Sequence, residues 1–319
     1  MSANKAAVPA ASGYRAYSVL KQPIFAKTLI TRFYAESISG NITSTDIIPT
    51  ELRQCGDQVV FRRDPVAEIF TYHKNQDLEV SSLNTEPIVM VVNRSNYWNL
   101  KLDRVDEKQI CGIQDWVKKY VNNVSQLNAL KIDNEVFREL PLEASCHNKG
   151  SKAGVRTGAY NLGAINTPVT ITPTNIFTYL TYLSAVLNEA NVPQTGRFAV
   201  FPEVARSVFM QSNLLNNADA SGLSKAIVLG GMFPDIMGFT IYFSTTMPIY
   251  IDPSQPGLQC YLVVAGLKEA TGFVTQLSES EVIDKDPRSF SKYWRGLMVY
   301  DFKVLRPEAL AVLYATFTV

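Results

Sequence analysis

Tyr293-Trp-Arg-Gly-Leu-Met-Val-Tyr-Asp-Phe-Lys-Val-Leu-Arg-Pro-Glu-Ala-Leu310, with the apolar run that continues to Val319, decides how this chain folds. From Gly296 to Leu305 the even positions Met298, Tyr300, Phe302 and Val304 are apolar, while Asp301 and Lys303 interrupt the odd face. That alternation predicts a half-buried strand. Arg306-Pro307-Glu308 predicts a turn, because proline fixes φ and donates no backbone hydrogen bond. Leu310 to Val319 then predicts a second strand. Chain ends usually fray into polar residues, so an end inside an apolar run is expected to be built into the fold.

Outward from that stretch, composition sets the frame. A chain of 319 residues buries roughly three quarters of its unfolded surface, room for two subdomains. Its 30 basic and 29 acidic side chains nearly balance, which excludes a global attraction to nucleic acid or membrane. The local distribution is uneven. Lys5, Arg15, Lys21, Lys27 and Arg32 precede the first acidic residue, Glu36, so the first 35 residues carry five net positive charges. Between Asn161 and Ala270 only ten residues are charged, against 49 in the remaining 209. Such a charge-poor block is expected to be a packed unit of its own or to meet neighbours over much of its surface. No apolar stretch reaches the length of a membrane span, and no secretory h-region opens the chain. Pro9 and Pro23 spoil an amphipathic transit helix. Cys55, Cys111, Cys146 and Cys260 are widely spaced and read as reduced thiols of a cytosolic protein. The sequons at Asn41, Asn93 and Asn123 lack a secretory context and read as chance.

Along the chain, residues 1–35 read as an extended arm with a short helix near Phe25–Tyr34. Val59–Phe61, Glu68–Tyr72, Ile88–Val92 and Tyr97–Leu102 read as strand pieces of one long ribbon, with His73–Asp77 at its tip. A ribbon of that kind has open edges and too little core to stand alone in water. Nothing later in the sequence offers an obvious cover, which points to other subunits. Asp106 to Leu140 carries apolar residues at helical spacing, with acidic residues at its start and Pro141 as the predicted stop. Residues 146–161 read as a flexible loop, 174–189 as a helix, 197–201 as a strand leading into a helix at Pro202-Glu203, and 239–243 and 258–264 as further strands.

Few residues point to chemistry. There are two histidines: His73 at the ribbon tip and His147 beside Cys146, with no orienting third group for a dyad. Neither they nor the scattered cysteines spell a zinc site. Gly150, Gly154 and Gly158 lie among basic residues, yet no Gly-Lys-Ser/Thr closes a phosphate cradle. Glu203 discourages an anion at the helix start after Pro202. Glu281, Asp284 and Asp286 read as a solvated turn. The basic arm, with Arg15, Lys21, Lys27 and Arg32, reads equally as DNA-facing or as docking on a neighbour.

The ordered set of Leu127–Phe137 within a long helix, Gly196-Arg-Phe-Ala-Val-Phe-Pro202, Ala270–Gln276 and Arg295–Ala309 resembles the major capsid proteins of tailed bacteriophages with the Hong Kong 97-type fold. The resemblance spans nearly the whole chain and rests on hydrophobic pattern in order, since each motif alone is common. It implies an α+β fold with an N-terminal arm at 1–35 and an extended loop at 36–104. A peripheral domain with a spine helix is implied at 105–164 and 270–305, and an axial domain at 165–269 and 306–319. It implies self-assembly into hexamers and pentamers of an icosahedral head enclosing double-stranded DNA, with the ribbon lying across the adjacent subunit. Arg62, Arg63, Asp64, Tyr72 and Lys74 are the candidate intersubunit contacts. The implied partners are further copies of the chain, a separate scaffolding protein, a portal, an optional decoration protein and non-specifically held DNA. No catalytic residue, cofactor, metal or membrane is implied. The implied location is the virion, assembled in the host cytoplasm. Some members join a ribbon lysine to a neighbour's asparagine; Lys74 lacks an assisting glutamate, so that chemistry is not carried over. Two alternatives stand beside this reading: an encapsulin-like cellular compartment, and an α/β enzyme whose lid is 146–161.

Overall fold

Strands with apolar residues on both faces must be covered twice, and such strands organise the largest sheet of the protein. The computed structural model describes residues 35–45, 58–63, 65, 67–74, 76–77, 80, 85, 87–109, 113–212, 235–254, 257–284 and 289–318. The described residues belong to one compact unit within 34–319, and the expected arm with its short helix near Phe25–Tyr34 lies outside the described residues.

Among the described residues the helices are, in chain order, α1 (Ser39–Ile42), α2 (Arg104–Gln109), α3 (Ile113–Glu143), α4 (Ile176–Glu189) and α5 (Glu203–Gln211). The strands are β1 (Gln58–Arg62), β2 (Pro87–Val91), β3 (Arg94–Asp103), β4 (Val169–Ile171), β5 (Arg197–Pro202), β6 (Phe239–Ser244), β7 (Tyr250–Ile251), β8 (Gln259–Leu267), β9 (Thr271–Ile283), β10 (Ser291–Val304) and β11 (Leu310–Phe317). They make three sheets.

The largest sheet has the order β4-β11-β8-β5-β6, with β7 paired to β8. Every residue of β5 is buried, and so are Leu310–Thr316 of β11. This is how near-continuous apolar runs read when both faces of a strand are packed. Helices α4 and α5 pack on this sheet, and α3 reaches β8 and β11. Phe201, Phe209 and Phe243 meet edge to face between α5 and the strands, the arrangement that aromatic quadrupoles favour. The segment that opened the sequence reading behaves as expected: β10, a 3-10 turn at Pro307–Ala309, then β11. Along β10, Tyr300, Phe302 and Val304 are buried.

The second sheet, β3-β10-β9, is antiparallel, with a register irregularity between Val299 and Tyr300. The third is the ribbon, in which β1 pairs antiparallel with β2 from Gln58↔Val91 to Arg62↔Pro87.

Several expectations need correction. Glu68–Tyr72 is not a strand; it is exposed chain, and among the described residues no strand pairs with it. Tyr97–Leu102 does not belong to the ribbon but pairs with β10 from Leu297 back to Lys292, so the later chain covers part of what was expected to need another subunit. The predicted helix over 106–140 is two helices, α2 and α3, flanking residues outside the described set. Pro141 does not stop α3, which runs to Glu143 with Pro141 buried inside it. In the last turn a proline forfeits a single backbone bond, and core contact offsets that loss. The long strand β9 was missed, because its alternation of Ser and Glu over 278–281 hides its period.

The loop at 146–161 is not a flexible linker. Asn148 is fully buried and donates to the carbonyls of Glu308 and Leu310 at 2.7 and 2.9 Å. Ala153 and Tyr160 exchange backbone bonds. The Glu189 carboxylate accepts from the Arg156 and Thr157 amides and from Thr157 Oγ1 at 2.9, 3.2 and 2.7 Å. Gly154 has φ +114, and a Cβ there would lie 2.8 Å from Glu189 Oε2. The glycine therefore lets the loop close around the carboxylate.

Candidate intersubunit surface

The ribbon has two unlike faces. Val59, Met90 and Val92 are buried in a small cluster with Val274 of β9, and Phe61 and Val299 pack against it. On the opposite face Val60, Val89 and Val91 are 55%, 46% and 41% exposed. Alternation along a strand puts these three on one side, and the strand carries them into solvent. Beyond β1, Ile69, Phe70, Tyr72 and Val80 are exposed as well. An apolar two-stranded ribbon with open edges is a surface that needs a cover.

The roots of the ribbon are held within the chain. Arg63 donates to the Leu305 carbonyl at 3.3 Å and lies 3.8 Å from Glu308. At the other root, Arg94 is gripped from three sides. Its Nε donates to Asp301 Oδ1 at 3.0 Å, and its terminal nitrogens reach Glu139 at 2.9 and 2.5 Å and Glu135 at 3.4 Å. The guanidinium also lies over the Phe302 ring, 4.5 Å from its centre, an added cation–π attraction. The Glu139 hydrogen bonds, reinforced by Asp301, hold the Arg94 guanidinium above its ordinary range against the opposing effect of burial. Next to it the Tyr300 hydroxyl donates to Glu135 at 2.8 Å, and burial followed by that carboxylate pushes the phenol well above its usual range. Asn96 links β3 to Asn128 and Tyr300 at 2.9 and 3.0 Å. Together these groups fasten α3 to the β3-β10-β9 sheet at the point where the ribbon leaves it.

Helix α3 is covered over half its length. Ile132, Val136, Phe137 and Leu140 are buried, whereas Trp116, Tyr120 and Leu127 are exposed. Between its exposed half and the β3-β10-β9 sheet runs a groove of about 700 Å³, lined by Trp98, Val121, Val124, Leu127, Leu297 and Met298 among others. The apolar stripe read from the sequence is real, but its middle turns, from Val121 to Leu127, line this groove instead of a core.

Among the residues singled out by sequence, Arg62 is an exposed residue at the end of β1, Tyr72 is 66% exposed, and Lys74 sits exposed at the turn where Gln76 N–H bonds the His73 carbonyl. Arg63 is tied into the chain as described. Asp64, Arg15, Lys21, Lys27 and Arg32 lie outside the described residues. Sequence reasoning missed Arg94 and its three carboxylates. Glu135 and Glu139, four apart on a helical pattern, are the signal that one helix face meets a cation. Asp133 was missed as well. Among the described residues no group of three His, Cys, Asp or Glu side chains is arranged to hold a metal, and no helix is long and apolar enough to cross a membrane.

No protein-family model and no curated protein sequence matches the chain. Solved structures do. A chain from Mycobacterium phage Che8 aligns with a TM-score of 0.72 at 19% identity, over 92% of this chain and 96% of that one. The capsid structure of cyanophage P-SCSP1u gives 0.64 at 17% identity, over 94% of each chain. The mature capsid of bacteriophage PhiM1 gives 0.61 at 14% identity, over 93% of this chain and 92% of that one. The chain shares the mixed α and β fold of these phage structures over nearly its whole length.

Proposed function

We propose that this chain is the major capsid protein of a tailed bacteriophage, with a Hong Kong 97-type fold, and that it assembles into the hexamers and pentamers of an icosahedral head around double-stranded DNA. The observation that carries the proposal is an end-to-end fold shared with phage capsid chains, joined to a ribbon whose outer apolar face is left in solvent. A heterologous contact that repeats around a ring covers such a face on every copy. On this reading residues 1–35 are the arm and 36–104 the extended loop, with β3 in the peripheral sheet. The peripheral domain takes 105–164 and 270–305, and the axial domain 165–269 and 306–319. The role is structural, without catalysis. A separate scaffolding protein, a portal, DNA held by non-specific electrostatics and an optional decoration protein are the partners it calls for, and the virion, assembled in the host cytoplasm, is its location.

Sedimentation velocity with negative-stain imaging of the expressed protein tests this. Rings or closed particles are the expected result. A sharp monomer peak over a wide concentration range would sink the proposal, and particles packed with an enzyme in place of DNA would redirect it to a cellular compartment.

A further inference from the structure

The stretch before the ribbon is short but tied down at several points. Helix α1 spans four residues, too few to hold itself together. Its place comes from elsewhere. Asp133, on α3 and 0% exposed, accepts from Ser37 Oγ at 2.8 Å, from the Ile38 amide at 2.8 Å and from the Ser39 amide at 3.1 Å. These bonds span more than ninety residues of sequence. Ile38 and Ile42 are sunk in the main core, which also contains Ile132 and Val136. Beyond α1, the Ser44 amide bonds the Thr271 carbonyl and the Phe273 amide bonds the Ser44 carbonyl, both at 2.9 Å. Residues 37–44 are thus a strap from α3 to β9.

A buried carboxylate costs stability unless its oxygens are bonded. Here its bonds all go to one short segment, so what the charge secures is that segment's position. We propose that Asp133 is a positioning residue: a clasp that fixes where the chain preceding Ser37 departs from α3, so that every copy presents its N-terminal segment from the same point to the next copy. The consequence for assembly rests on the capsid reading; the clasp itself does not.

The test uses the full-length protein and Asp133→Asn, which keeps the volume but turns one acceptor into a donor, with Asp133→Ala as the stronger change. Amide exchange at Ile38 and Ser39 is followed by mass spectrometry, with β5 and β11 as internal reference. Losing hydrogen bonds to a charged group is expected to speed exchange at Ile38 and Ser39 on the order of tenfold to a hundredfold in Asp133→Asn. The reference strands stay as slow as before, and particle yield falls. Unchanged exchange at Ile38 and Ser39 would overturn the clasp. Equal acceleration everywhere would reduce Asp133 to a general structural residue and overturn it too. Fast exchange with full particle yield would overturn the positioning role. If the unsubstituted protein forms no particles, the capsid reading fails, and the exchange result alone decides the clasp.

Discussion

Arg94 carries more of the architecture than any other single cation described above, because one planar guanidinium joins β3, α3 and β10. Its side chain is 27% exposed and that of Asp301 9%, so removing it leaves a nearly dry carboxylate unpaired. Arg94→Met is expected to lower unfolding free energy by about 3 kcal/mol in urea titration, and Arg94→Lys to recover a part of that, since an ammonium lacks the fork that bonds Asp301 and Glu139 together. An unchanged midpoint in Arg94→Met would contradict this account of the joint. Glu189 makes a second prediction with a definite pH sign. The Thr157 hydroxyl, followed by the Arg156 amide, holds its carboxyl below the ordinary range. A carboxylate depressed in the folded state stabilises above its unfolded pKa and loses that contribution as pH falls through its folded one. Glu189→Gln is therefore expected to melt below the unsubstituted protein at neutral pH, with the gap closing as the solution is acidified past that folded value. A gap constant with pH would refute the loop's dependence on the charge.

At the scale of elements, the outer face of the ribbon separates folding from assembly. Val60→Lys with Val89→Glu, a directly opposed pair, places opposite charges where the side chains already meet water, so protomer stability should move by no more than about 0.5 kcal/mol per site. Particle yield should collapse, read by size-exclusion chromatography. Normal particles would show that this face is not an interface. Arg62→Glu belongs to the same class, whereas Arg63→Glu also breaks the bonds to Leu305 and Glu308 and should cost the protomer some stability by thermal melt. What was legible in the sequence follows the same division. Elements with a clean period (β10, β11, α4, β5) were readable, because each is amphipathic or apolar throughout. The rest of the second sheet was not, because β9 mixes Ser and Glu over 278–281 and β3 reads like ribbon until its partner β10 is known. The site was half legible: the need for a cover followed from the ribbon's pattern. The ties that aim the ribbon and strap, Arg94 to Glu139 and Asp133 to Ile38, depend on contacts across more than forty and ninety residues that no local pattern encodes.

At the scale of the whole molecule, two well-packed sheets hold out surfaces that a lone copy leaves wet: the ribbon's outer face and the groove along the middle of α3. Deleting residues 1–35 is expected to block particle formation while the six-stranded sheet still folds, checked by circular dichroism and imaging; normal particles from that truncation would contradict an essential arm. The central claim is that these wet surfaces are covered by further copies of the same chain in a closed shell. A cryo-EM reconstruction of the expressed particles tests it most directly. The account predicts a shell in which Val60, Val89 and Val91 of each copy are buried against an adjacent copy. Shells in which that face still points into solvent, or a protein that stays monomeric at every concentration tried, would contradict it.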